Sequence, residues 1–239
     1  MSMNIINTIK EELNHFNDKK RGETLPRYFQ AYPGGYGEGD KFIGVTVPNQ
    51  RAVSKKHYKN ISLSELEQLL WEPIHEYRLT ALFMFVLKYQ KSKDESLQKE
   101  LVELYLKNIE RVNNWDLVDS SAHLILGPHL MNGNRQLLYE LAKDNSLWIQ
   151  RIAIIATLHF IRNGQFDDTL SIAKILLNHN HDLIHKAVGW MLREVGKKNY
   201  EVEYTFLIKH YNNMPRTMLR YAIERFPEEV RQNFLKGKY

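Results

Sequence analysis

Leu183-Ile184-His185-Lys186-Ala187-Val188-Gly189-Trp190-Met191-Leu192-Arg193-Glu194-Val195-Gly196-Lys197 is the stretch that decides the fold. Ile184, Val188, Met191, Leu192 and Val195 recur at three- and four-residue spacing, which predicts an amphipathic helix with one core-facing stripe. Trp190 lies off that stripe. It shares a face with Lys186, four residues before it, and Arg193, three after, and Lys197 follows one turn on. An indole framed by cations on a non-core face suits a polyanion surface. It also suits packing against a neighbouring helix with the cations solvated.

The same periodicity extends in both directions. Asn4 to Phe16 reads as a helix on Ile5, Ile6, Ile9 and Leu13, and Leu25 to Ala31 as a short second one. Pro48 opens a third, where proline is tolerated in the first turn, and Arg51 and Lys55 fall on one side of it. Ser62-Leu63-Ser64-Glu65 has the form of a capping box. Helices are then expected near residues 64–70, 75–89, 95–109, 115–126, 136–143, 147–162, 168–178, 201–211, 218–226 and 228–235. Breaks are expected at Pro73, Gly127-Pro128, Gly133, Gly164, Pro215 and Pro227. Phe42 to Val47 is apolar and expected to be extended, but no alternating strand stands out. Many short helices at an apparent period of about 35–40 residues predict an all-α fold, a HEAT-like helical-repeat solenoid or α-α superhelix. A single domain over residues 1–239 is expected, and an irregular bundle is the alternative. A solenoid of this kind curves, and its concave face can hold an elongated ligand.

Composition narrows the chemistry. The 239 residues are 43% hydrophobic, enough for a sizeable core, and contain no cysteine, which excludes disulfides and thiolate catalysis. Met1 to Phe16 shows no apolar leader, and the apolar run Ala81–Leu87 is too short to span a bilayer, so a cytoplasmic protein with no membrane partner is expected. A net charge of +5 permits a nucleic-acid partner without demanding one. The ten histidines form no metal-ligand spacing, and no metal or cofactor is expected. No Gly-x-Ser-x-Gly elbow occurs. The glycine-rich run Tyr32 to Asp40 lacks the ending of a phosphate-binding loop and follows no strand, so it is read as a plain loop.

Against this background Asn113-Asn114-Trp115-Asp116-Leu117-Val118-Asp119 stands out. In a helix Trp115 and Asp119 sit one turn apart on one face, a large π surface beside a fixed negative charge. That pair suits a cationic or cation-forming substrate. Trp115 read alone fits a core residue better than a site residue, and Asp116 fits the helix dipole in the first turn, whereas Asp119 lies a turn deeper. Arg151 shares a mainly apolar stripe with Trp148, Ile155 and Leu158, where a guanidinium needs a carboxylate or a polyanion. Arg216 and Arg220, four apart, could bind phosphates or form an exposed basic face.

Four blocks in order resemble the DNA alkylation repair family typified by the AlkD glycosylases: Phe42 to Arg51, Trp115 to Asp119, Leu147 to Arg151, and Lys186 to Glu194. The resemblance covers the chain from about Phe42 onward. It implies a monomeric, monofunctional glycosylase acting on duplex DNA that contains alkylated purines. It also implies that Asp119 is the catalytic carboxylate, that Trp115 and Trp190 flank the sugar of the lesion, and that Arg151 completes the cleft. A basic groove would take the duplex backbone, with contributions from Arg51, Lys55, Lys186, Arg193, Lys197, Arg216 and Arg220. Two departures stand out. Asn114 replaces the first of two adjacent tryptophans common in the family, and the Gly34–Gly39 loop is not part of its pattern. A non-catalytic HEAT-repeat binder of branched or damaged DNA, and a protein-binding helical scaffold, are the competing readings.

Overall fold

The structure is a computed structural model that describes residues 4–239. Met1 to Met3, the start of the segment read for a leader, lie outside the described residues. The fold is all-α, as the periodicity predicts. Among the described residues the only strand-like pairing is an isolated bridge between Lys41 and Ile74. No described helix is long and apolar enough to cross a membrane. The chain divides into two compact units, Met1–Ser121 and Ala122–Tyr239.

The first unit carries α1 (Ile5–His15), α2 (Lys19–Tyr28), α3 (Val47–His57), α4 (Leu63–Leu70), α5 (His75–Lys91), α6 (Glu95–Lys107) and the short α7 (Trp115–Asp119). Helix α5 is its centre. It packs against α3, α4, α6 and α7 and is buried on every side from His75 to Val86. Ser62 and Glu65 form the expected capping box of α4.

Helix α2 begins earlier than the sequence reading placed it. Asp18 caps it by accepting from Arg21 N at 3.0 Å, and Pro26 lies within its last turn rather than near its start. The expected extended stretch after the glycine-rich loop is real but belongs to no sheet. It is stitched across the start of α5: Lys41 O accepts from His75 N at 2.8 Å, and the Glu76 carboxylate accepts from Gly44 N at 2.8 Å and Ile43 N at 3.2 Å. Gly44 has φ of 80°, and a Cβ there would meet Asp18 O at 2.1 Å, so only glycine lets this strap lie against α2.

The second unit carries α8 (Ala122–Leu130), α9 (Gln136–Leu141), α10 (Leu147–Ala156), α11 (Leu158–Arg162), α12 (Asp167–Ile175), α13 (Asp182–Lys198), α14 (Tyr200–His210), α15 (Arg216–Ala222) and α16 (Glu228–Leu235). Its centre is α13, against which α10, α11, α12, α14 and α15 pack. The five apolar residues read from the sequence are all buried, together with Ala187 and Gly189. Gly189 sits where a Cβ would meet Met218 O and Tyr221 Cβ, each at 2.5 Å, so its lack of a side chain lets α15 approach closely.

One expected break falls elsewhere, and one helix is interrupted where no break was expected. The helix expected over 115–126 is interrupted at Ser120-Ser121, where Ser121 Oγ bonds to Leu117 O at 2.6 Å and to Tyr105 Oη at 3.0 Å. Gly127-Pro128 lies inside α8 instead of ending it. The helix expected over 147–162 is likewise interrupted at Thr157, whose hydroxyl donates to Ile154 O at 2.7 Å. In both places a buried hydroxyl competes with the backbone ladder.

Candidate functional site

Trp115 and Asp119 are the first and last residues of α7, so they lie one turn apart on one face, as their spacing predicts. Leu117 and Val118 are fully buried and anchor the helix, and Trp115 and Asp119 are half-buried. The indole of Trp115 is held by aromatic rings. It stacks on Phe29 with centroids 5.4 Å apart and planes at 16°, and Phe29 stacks in turn on Phe42 at 5.2 Å and 16°. Tyr28 meets Trp115 edge-on at 5.9 Å. Offset stacks and edge contacts of this kind add roughly 0.5–1.5 kcal/mol each beyond area burial. Trp115 is therefore the outer ring of a three-ring column, neither a core residue nor a free surface aromatic.

Beneath the column lies a charged cluster that the sequence reading did not anticipate. His75 is 2% exposed. Its Nδ1 is 2.9 Å from Asp40 Oδ2, and its Nε2 is 2.9 Å from Asp116 Oδ2. Arg78 Nη2 donates to Asp40 Oδ1 at 2.6 Å, and Asn114 Nδ2 donates to Asp40 Oδ2 at 3.1 Å. Burial alone would lower the His75 pKa, but the charge and hydrogen bond of Asp116, with those of Asp40, raise it to about 9. Burial likewise opposes ionisation of Asp40, but the His75 hydrogen bond and the Arg78 charge prevail and lower its pKa to about 2. At neutral pH the cluster is an imidazolium and a guanidinium set among carboxylates, with both His75 nitrogens donating.

Asn114 is completely buried. Its Oδ1 accepts from Trp115 N at 2.9 Å while its amide nitrogen holds Asp40. A residue so placed offers no surface to a ligand. Its departure from the double-tryptophan pattern is matched by the glycine-rich loop, which supplies Asp40 as its partner. Gly37 belongs to the same fitting: a Cβ there would meet Phe29 O at 2.4 Å and Asn114 Nδ2 at 3.0 Å.

In the second unit Arg151 is 5% exposed, and its Nη1 donates to Leu183 O at 2.5 Å in the first turn of α13. Trp190 is half-buried and off the core face of α13, with Nε1 donating to Glu194 Oε1 at 3.1 Å. The cations around it have carboxylate neighbours: Lys186 with Asp182 at 2.7 Å, Lys197 with Glu194 at 2.8 Å, and Arg193 with Glu224. A phosphate reaching them would exchange with those carboxylates. Arg216 and Arg220 are exposed on α15. In the first unit Lys55 is exposed on α3, and Arg51 lies 4.0 Å over the Phe83 ring.

The sequence reading passed over the cations of α2. Lys19, Lys20, Arg21 and Arg27 are exposed, and among the described residues none has a carboxylate partner. The run Lys19-Lys20-Arg21 was the available signal. Among the described residues no three His, Asp or Glu side chains come together as metal ligands.

Residues 9–226 match the family model described as DNA alkylation repair enzyme. No curated protein matches the sequence. Among solved structures the chain is similar to a predicted DNA alkylation repair enzyme from Enterococcus faecalis, with a TM-score of 0.67 and 16% identity. The match covers 89% of this chain and 97% of that one. At that identity the likeness concerns the fold.

Proposed function

The chain belongs to the DNA alkylation repair enzyme family, and from that premise we propose that it is a monofunctional DNA glycosylase. Its substrates would be cationic N3- and N7-alkylated purines in duplex DNA, released by hydrolysis of the N-glycosidic bond. The observation that carries this reading is the pairing on α7 of a rigidly seated indole with a carboxylate one turn away.

An N3- or N7-alkylated purine carries a formal positive charge and leaves as a neutral base, so a strong general acid is unnecessary. As the bond breaks, positive charge passes to the sugar, as in glycoside hydrolysis. Asp119 stabilises that oxocarbenium-like charge and orients the attacking water. The indoles of Trp115 and Trp190 add cation–π attraction on the order of 1–2 kcal/mol each once desolvated. Arg151 binds a phosphate near the lesion. Duplex backbone binds to basic side chains of each unit: Arg51 and Lys55 with the exposed cations of α2 in the first, and Lys186, Arg193, Lys197, Arg216 and Arg220 in the second. The protein acts as a monomer, and the chemistry calls for neither cofactor nor metal.

One observation favours a second reading, a non-catalytic binder of branched or damaged DNA. Asn114 is buried, so the site presents a single tryptophan at this block. Incubating the parental protein with methylated duplex DNA and measuring free 7-methylguanine and 3-methyladenine separates the two. Base release supports the glycosylase. Tight, salt-dependent binding without release supports the binder.

A further inference from the structure

We infer that the glycine-rich loop is a positioning strap for α7, and that Asp40, acting through His75 and Asn114, fixes the placement of Trp115 and Asp119. The inference rests on the reading of α7 as the substrate-facing element, and it assigns work to two features that reading leaves unused: the loop itself and the asparagine at position 114.

Asp40 is the last residue of the loop and makes three separate contacts with groups that define the start of two helices. It accepts from His75 Nδ1 at 2.9 Å and from Arg78 Nη2 at 2.6 Å, both in the first turn of α5. It also accepts from Asn114 at 3.1 Å, the residue that caps α7. His75 carries the restraint a second way, from its Nε2 to Asp116, the second residue of α7. Both routes end within one residue of Trp115. His75 also lies against Phe29 at 4.8 Å and Phe42 at 5.0 Å, so the ring column and the ion cluster share one wall.

Helix α7 has only five residues, too short to hold its own geometry, since an isolated turn costs more conformational entropy than its few hydrogen bonds return. Its direction is therefore set from outside. Leu117 and Val118 fix its depth, but an apolar contact is non-directional. The two carboxylate bonds supply the direction. Asp40, His75 and Asn114 touch no substrate under this account. They are positioning residues.

The test uses the full chain. Asp40→Asn and His75→Gln remove the charged bonds. Asn114→Ser is the second route, because serine keeps an N-cap but cannot span to Asp40. Emission from Trp115 is read in each variant against a background carrying Trp71→Phe, Trp148→Phe and Trp190→Phe. Single-turnover excision and DNA affinity are read in the otherwise parental chain, per folded molecule, at a temperature below every melting transition.

The expected result is a red-shifted or more readily quenched Trp115 emission and excision slowed tenfold or more, with Kd for DNA within about twofold. A cluster that merely holds the fold together would lower the melting temperature and leave emission and rate per folded molecule unchanged, and that outcome overturns the inference. If the parental protein excises nothing, the glycosylase reading fails by itself. The emission of Asn114→Ser then decides the strap: a shift sustains it, and an unshifted spectrum refutes it.

Discussion

Glu203 gives the clearest quantitative prediction. It lies on α14 and is 1% exposed, its Oε1 has no hydrogen-bond partner among the described residues, and it fills the space beside Gly196 of α13. A Cβ at Gly196 would lie 1.6 Å from Glu203 Oε2, so the glycine and the buried acid are fitted to one another. Burial pushes the carboxyl up to about 9 from an ordinary value of 4.5, and Arg193 pulls weakly the other way. The folded chain therefore keeps this proton up to about pH 9, whereas the unfolded chain releases it above 4.5.

Stability falls wherever the folded state binds more protons than the unfolded one, here between pH 4.5 and 9, by about 1.4 kcal/mol per pH unit for one group. At pH 7 the accumulated cost is about 3 kcal/mol. Glu203→Gln is nearly isosteric and cannot ionise. It should therefore be more stable than the parent by up to about 3 kcal/mol at pH 7, on the order of 6–12 °C in melting temperature for a chain of this size. At pH 4.5 the difference should nearly vanish. Thermal and urea melts of both proteins across pH 4.5–9 measure the two slopes. Parallel pH dependences would refute the assignment of a neutral, buried acid at this position.

Other outcomes follow from the same geometry. Phe29→Ala removes the middle ring of the column that seats Trp115, so it should cost about 3 kcal/mol or more in a urea melt and slow base release as well. An Arg51→Ala, Arg193→Ala double variant should weaken duplex binding and flatten the plot of log K against log salt by about 2, roughly 0.9 for each phosphate no longer neutralised. An unchanged slope would remove both residues from the docking surface. Lys20→Ala, Arg21→Ala on α2 should flatten it comparably, and equal slopes for this pair and the parent would return α2 to an ordinary solvated face.

The sequence carried most of the fold because its long helices announce themselves. The stripe of α13 is legible at 3.6-residue spacing, and Trp190 lies off it, as read. Helix α2 was misplaced because Lys19-Lys20-Arg21-Gly22 has no apolar period, and its signal is the capping Asp18 instead. The interruptions at Ser120-Ser121 and Thr157 were illegible because their cause is a hydroxyl bonding within a packed core. Gly127-Pro128 was overread as a stop, although Gly127 serves a close approach by the backbone of Ala156 and by His159.

For the site, the one-turn relation of Trp115 and Asp119 followed from spacing alone. The cluster of Asp40, His75, Arg78, Asn114 and Asp116 did not, because its members are up to 76 positions apart and meet only once the loop folds over α5. One signal was available: His75, Glu76 and Arg78 place an imidazole, a carboxyl and a guanidinium at the head of a helix whose remaining residues are largely apolar, and such groups need partners when buried. The carboxylates that pair with the cations of α13 were also in view, as Asp182 and Glu194 one turn from Lys186 and Lys197.

The central claim is that Asp119 performs the chemistry, and single-turnover release of 7-methylguanine from duplex DNA by parental and Asp119→Asn proteins addresses it most directly. The account predicts that the variant loses most excision while its Kd for the same duplex stays nearly parental, because the carboxylate acts on charge that develops only as the bond breaks. Release at the parental rate by Asp119→Asn would contradict it.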